Sequence, residues 1–152
     1  MVKTIAAWNL RGLNTPKKQK LVQQWISKNS LNIVGLLETR IRPANMEAVK
    51  FGLGLANWKF ISNAHMAPLC RILVGWNTER ADISMVHSAS QWLTCDALSL
   101  GDGSTVRITC LWVEYPNLSL QPVELPGGAE GVEQFYSLDH PRRFQRHFKH
   151  KG

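Results

Sequence analysis

Asn9 and Glu38 each close a short apolar run, Lys-Thr-Ile-Ala-Ala-Trp over residues 3–8 and Asn-Ile-Val-Gly-Leu-Leu-Glu over residues 32–38. Apolar runs of this length that stop at a polar residue and a turn read as buried strands. A carboxylate and an amide oxygen at the carboxyl ends of two strands suit a hard cation. Mg²⁺ prefers oxygen ligands, keeps several waters, and is held by one or two carboxylates while a substrate phosphate completes its shell. Spacing alone leaves another reading open, in which Glu38 caps the following turn and Asn9 forms a local Asx turn.

The pattern around these two residues shows which strands and helix hold them. Thr15-Pro16 reads as an N-cap and first helical residue, and Leu21, Val22, Trp25 and Ile26 repeat at helical spacing, so a helix spans about 16–28 and stops at Asn29-Ser30. Strand, helix and strand make a β-α-β unit, whose right-handed crossover sets the two strands parallel with their carboxyl ends on one edge. In open α/β sheets that edge binds ligands. Pro43 opens a short helix with a mixed apolar pattern (Met46, Val49, Phe51, Leu53) that Gly52 and Gly54 terminate. From Trp58 the texture is strand: 58–62, 70–77, 81–87, 91–99 and 104–112, with turn signals at Asn63, Asn77-Thr78, Ser88 and Gly101-Asp102-Gly103. The last is a hairpin that pairs 105–111 with Trp92 to Leu98. After Trp112 neither period persists, and Pro116, Pro122, Pro126, Gly127, Gly128 and Gly131 read as coil, with only a weak helical pattern around 130–137.

Three segments carry a resemblance. Trp8-Asn9-Leu10-Arg11-Gly12-Leu13-Asn14, then Pro16-Lys17-Lys18-Gln19-Lys20, then Ile33-Val34-Gly35-Leu36-Leu37-Glu38-Thr39-Arg40, resemble the opening of the endonuclease/exonuclease/phosphatase superfamily. They are most similar to the endonuclease domain of plant LINE-type (non-LTR) retrotransposons. Arg71-Ile72-Leu73-Val74-Gly75-Trp76-Asn77 looks like that family's Gly-Arg-Ile-x-x-x-Trp segment, with Cys70 where glycine is usual. Gln91 to Cys95 and Val106 to Cys110 look like its next two strands, so the likeness runs over residues 3–111. It implies an α/β (α+β) fold, a two-sheet sandwich flanked by helices. It also implies hydrolysis of a DNA phosphodiester with Mg²⁺ or Mn²⁺, Glu38 binding the metal and Asn9 ordering metal and phosphate, and Arg11, Lys17 and Lys18 meeting nucleic acid.

The pattern then departs from the family. A Tyr-x-x-Asn turn, an Asp-x-Asn and a Ser-Asp-His should follow, the second supplying the group that activates water and the third a phosphate-supporting His. Trp112 stands at the expected Tyr. Tyr115-Pro116-Asn117 imitates the turn a few residues late, and Ser137-Leu138-Asp139-His140 imitates the last motif with an extra Leu; Tyr115, Asn117, Asp139 and His140 are doubtful members of the site. Residues 1–112 therefore read as the amino-terminal part of such a domain and 113–152 as an irregular, disordered basic tail. A shifted reading frame or unrelated flanking sequence after residue 111 would account for the break, and loss of later strands would leave apolar surface exposed and sheet edges unpaired.

Charge supports this division. Of eighteen Lys and Arg residues five follow His140 with no acid among them, leaving thirteen bases against eleven acids in residues 1–139 and placing most of the +7 net charge in the tail. Cys70, Cys95 and Cys110 form no Cys-x-x-Cys pair and read as buried reduced thiols. The six tryptophans read as mostly core, and the histidines as surface. No apolar run reaches 18 residues and no signal core opens the chain, which predicts an intracellular, non-membrane protein, nuclear if it behaves as the family does, with DNA as partner and no obligate protein partner. The sequence thus favours a truncated, inactive relative of a Mg-dependent endonuclease. An active endonuclease and a non-catalytic nucleic-acid-binding module remain open.

Overall fold

A computed structural model describes residues 5–66 and 68–112, together with the backbone of two strands at 132–136 and 147–148. The chain order is β1 (Ile5–Asn9), α1 (Pro16–Lys28), β2 (Ile33–Ile41), a 3-10 turn (Pro43–Asn45), α2 (Met46–Leu53), β3 (Trp58–Ser62), a second 3-10 turn (Ala64–Met66), β4 (Cys70–Asn77), β5 (Ala81–Ser88), β6 (Trp92–Ser99), β7 (Thr105–Leu111), β8 (Val132–Tyr136) and β9 (His147–Phe148).

These strands form two sheets, ordered β1-β2-β4-β3 and β5-β6-β7-β8-β9. In the first, β1 and β2 run parallel with Ile5 opposite Ile33 and Asn9 opposite Leu37, as the β-α-β reading requires. β4 lies antiparallel to β2 and to β3. In the second sheet β6 and β7 pair antiparallel over Trp92–Leu111 to Leu98–Thr105, which is the hairpin expected from the Gly-Asp-Gly turn.

Alternation along each strand sorts the side chains into two cores. Ile5, Ile33, Leu37, Ile72 and Val74 meet Ile83, Leu93, Cys95, Ile108 and Cys110 between the sheets. Val34, Leu36 and Leu73 meet Val22 and Ile26 of α1 and Val49 and Leu53 of α2 on the other side. The result is a mixed α/β sandwich in three layers: helices, first sheet, second sheet. Gly35 permits the close approach of the sheets, because a Cβ there would fall 2.9 Å from the Sγ of Cys110.

Helix α1 begins at Thr15, whose Oγ1 accepts from the Lys18 N–H at 3.4 Å, with Pro16 in the first turn. Its buried face is Gln19, Val22 and Ile26; Leu21, counted as apolar-periodic above, is exposed. Trp76 and Trp112 are buried, whereas Trp8, Trp25, Trp58 and Trp92 are half-buried, so fewer tryptophans are core than the sequence suggested. His65 and His87 are exposed, and the three thiols are free and buried, as read.

The segment after Trp112 corrects one expectation. Residues 132–136 are strand, parallel to β7 with Arg107 opposite Val132 and Leu111 opposite Tyr136, where the sequence showed coil with a weak helical period. Two-residue β9 pairs with it. A five-residue run is too short for period counting to separate helix from strand, and the partner edge of β7 decides. Tyr115, Asn117, Asp139, His140 and the basic run from Arg142 lie outside the residues whose side chains are described.

Candidate functional site

β1 ends at Asn9 beside Leu37 of β2, and the backbone that follows each of these residues is laced together. Leu10 N–H donates to the Leu37 carbonyl at 2.9 Å, Gly12 N–H to the Glu38 carbonyl at 2.8 Å, and Leu13 N–H to the Thr39 carbonyl at 2.8 Å. The loop after β1 thus follows β2 through an irregular stretch in which the pairing with β4 jumps from Leu37–Ile72 to Ile41–Cys70. Thr39 is wholly buried and its Oγ1 donates to the Cys70 carbonyl at 2.8 Å, fixing the bulge to β4. On the other side Asn14 Nδ2 donates to the Arg40 carbonyl at 2.7 Å.

Backbone strain concentrates here. Of the five non-glycine residues with positive φ among the described residues, Arg11 (50°), Glu38 (52°) and Arg40 (49°) belong to this loop and bulge. The left-handed region costs an L-residue about 1–2 kcal/mol, and strained residues gather where a side chain must be aimed. Gly12, at φ 117°, adopts a conformation that only glycine takes without strain.

Asn9 is half-buried at the tip of β1, with its side-chain oxygen shielded from solvent. By alternation it shares the face of Ile5 and Ala7, which is turned to the second sheet. Glu38, one residue beyond Leu37, the neighbour of Asn9 in register, is buried at 9% exposure. Its Oε2 lies 4.0 Å from Nη2 of Arg40, whose side chain is half exposed. Arg11 and Lys17 are exposed and Lys18 is half-buried in the first turn of α1.

The same edge receives the second sheet. Arg71 at the start of β4 places its guanidinium 4.5 Å from the centre of the Trp112 ring, which follows β7. Asn63, wholly buried after β3, accepts from the N–H groups of Arg71 and Ile72 at 3.1 and 2.9 Å and donates to the carbonyls of Ala89 and Ser90 at 3.1 and 3.0 Å. One side chain therefore ties β4 to the β5–β6 hairpin. The sequence reads Asn63 as a turn signal and Trp112 as a core residue standing at the expected Tyr. The one available signal was residue type, since an amide can donate and accept at once; partners 26 and 27 residues away leave no mark in local spacing.

Arg40 stands beside Glu38, while Arg11 lies in the loop after β1 and Arg71 on the stretch of β4 opposite the β2 bulge, so the basic residues of these segments suit an anionic ligand. No set of three His, Cys, Asp or Glu residues able to hold a metal occurs among the described residues. One carboxylate with an amide oxygen fits a cation that shares its shell with water and phosphate oxygens. It does not fit a cation caged by protein alone.

Comparison with solved structures decides the fold. TDP2 of D. rerio, complexed with a single-strand DNA product, matches with TM-score 0.59 and 12% identity over 87% of this chain and 58% of its own. The endonuclease domain of TRAS1, a telomere-specific non-LTR retrotransposon, matches with TM-score 0.56 and 9% identity over 86% and 57%. An endonuclease/exonuclease/phosphatase family protein of Bacteroides thetaiotaomicron matches with TM-score 0.54 and 12% identity over 70% and 49%. The fold is part of an endonuclease/exonuclease/phosphatase sandwich. Identities this low speak for the endonuclease/exonuclease/phosphatase fold alone, and the chain spans about half the length of the solved structures it matches. No protein-family model and no curated protein matches the sequence.

Proposed function

We propose that residues 1–112 are the amino-terminal part of a Mg-dependent phosphodiesterase domain of the LINE endonuclease kind, and that their task is to hold a divalent cation and the phosphodiester of DNA at the Asn9–Glu38 edge. The observation that carries this reading is Glu38 itself: a buried carboxylate in left-handed backbone, at the bulge of β2 that begins where its parallel neighbour ends in Asn9. A structural cap would have no reason to occupy a strained position when Gly or Asn would serve there.

In this reading Glu38 and the Asn9 amide oxygen hold Mg²⁺ or Mn²⁺, which when bound acts as a Lewis acid on the phosphate. Asn9, on the face turned to the second sheet, orients the phosphate, and Arg11, Lys17 and Lys18 meet neighbouring phosphates of the strand. The described histidines offer no free base: His65 and His87 are exposed and engaged with Ser88 at 3.0 Å and with Trp92 at 2.9 Å. General base catalysis contributes about 10²–10⁴-fold, so these residues bind the substrate without completing its hydrolysis. The domain division at Trp112, the LINE ancestry and a nuclear site of action belong to the same proposal.

Incubating the chain with supercoiled plasmid in Mg²⁺ or EDTA, beside Glu38→Ala, tests the reading. The expected result is Mg-dependent retention of DNA that Glu38→Ala loses, with no nicking above the control. Nicking by the native chain that Glu38→Ala abolishes would show a complete active site, and DNA retention indifferent to both Mg²⁺ and Glu38 would remove the metal from the account.

A further inference from the structure

Period-two alternation assigns Arg71 to the wrong side of its strand. Ile72 and Val74 face the second sheet and Leu73 faces the helices, so Arg71 should lie with Leu73 and Cys70 with Ile72. The reverse is observed: Cys70 packs in the helix-side cluster and Arg71 lies over Trp112 of the intersheet cluster. The cause is local. Successive N–H groups of a regular strand point to opposite sides, yet those of Arg71 and Ile72 both donate to Asn63 Oδ1, so the backbone is bulged at this point and the side chain is re-aimed. β4 carries Arg71 opposite the stretch of β2 that holds Glu38, Thr39 and Arg40.

No carboxylate pairs with Arg71 among the described residues. A half-buried guanidinium stacked on an indole has one face occupied and its planar N–H edges available. That fork matches the oxygens of a phosphate two at a time.

We propose that Arg71 is a phosphate-binding residue of the Asn9–Glu38 edge, with Asn63 as the positioning residue that turns it there; this rests on reading that edge as a phosphodiester site. Trp112 supplies the surface against which the guanidinium is held flat. The ligand class is the phosphodiester backbone of a nucleic acid strand, met through charge and geometry and not through its bases.

The test measures binding of a fluorescein-labelled single-stranded oligonucleotide over a range of salt concentrations, with Ca²⁺ present, for the native chain, Arg71→Gln, Arg71→Met and Glu38→Ala. Arg71→Met keeps an unbranched stem over the ring without charge, so it reports on phosphate binding if Arg71→Gln fails to fold. Loss of one phosphate contact on a single strand lowers the slope of log affinity against log salt by about 0.7, and both Arg71 variants should show that drop with unchanged melting. Glu38→Ala should weaken Ca²⁺-dependent binding and leave the slope near the native value. A native slope in a folded Arg71 variant overturns this inference alone. Absence of salt-sensitive binding by the native chain overturns it together with the site on which it rests.

Discussion

A carboxylate that caps a turn and one that holds a metal differ in how they respond to glycine. At φ 52° Glu38 stands in a region where glycine is unstrained, so Glu38→Gly should leave stability unchanged or raise it by up to about 1 kcal/mol, the relieved strain offset by the added freedom of the unfolded chain. Divalent-cation binding should vanish in the same variant. Urea denaturation gives the first quantity, and a drop in stability would mark Glu38 as a structural cap. Asn63 should behave in the opposite way: its removal takes the partner from a buried and a part-buried N–H and from two part-buried carbonyls, and Asn63→Ala should cost about 2–4 kcal/mol in the same experiment. Glu38 and Asn9 were legible in the sequence because each ends an apolar run. Asn63 and Arg71 were not, because their roles depend on a bulge and on partners in other strands.

Helix α1 and strands β3 to β7 were legible nearly to the residue, since turn residues separate each run; β2 was legible only to Glu38, because it continues through a bulge to Ile41 that no apolar run marks. β8 was not, for its evidence is the free edge of β7 and not its own pattern. One pairing within the second sheet has a pH signature. Asp96 of β6 lies opposite Arg107 of β7, with Nε and Nη2 donating to its two oxygens at 2.8 and 2.9 Å. These hydrogen bonds, and then the charge of Arg107, hold the Asp96 carboxyl below the usual carboxylate range against a smaller desolvation effect. A depressed folded pKa means that the stabilisation is present above the unfolded value of about 4 and is lost as pH falls through the folded one. Asp96→Asn should therefore melt below the native chain near neutral pH, and the gap should close as pH falls below about 4. A gap that persists in acid would show that the pair contributes by packing and not by charge.

Across the whole molecule, three layers enclose two cores and keep all three thiols inside. Burial, and then the charge of Asp96, pushes Cys95 up to about 12. Burial, with Cys95 adding, raises Cys110, and burial raises Cys70 against several weaker hydrogen bonds. Thiolate attack should then be negligible in the native state, with all three cysteines titrating by Ellman's reagent only after denaturation; a thiol that reacts at once in the native chain would mean that one of the cores is open. The layered sandwich was legible because the β-α-β unit and the hairpin each fix part of a sheet. What period-reading could not reach was the way the two sheets meet at one edge, which depends on Gly35, Asn63 and the Arg71–Trp112 contact. Everything functional in the account turns on that edge holding a cation through Glu38. Titration of Mn²⁺ into the native chain and into Glu38→Gln, followed by electron paramagnetic resonance of the free ion, tests this most directly. One saturable site is expected in the native chain, weakened at least about tenfold in the folded variant; equal binding by both would show that Glu38 holds no cation.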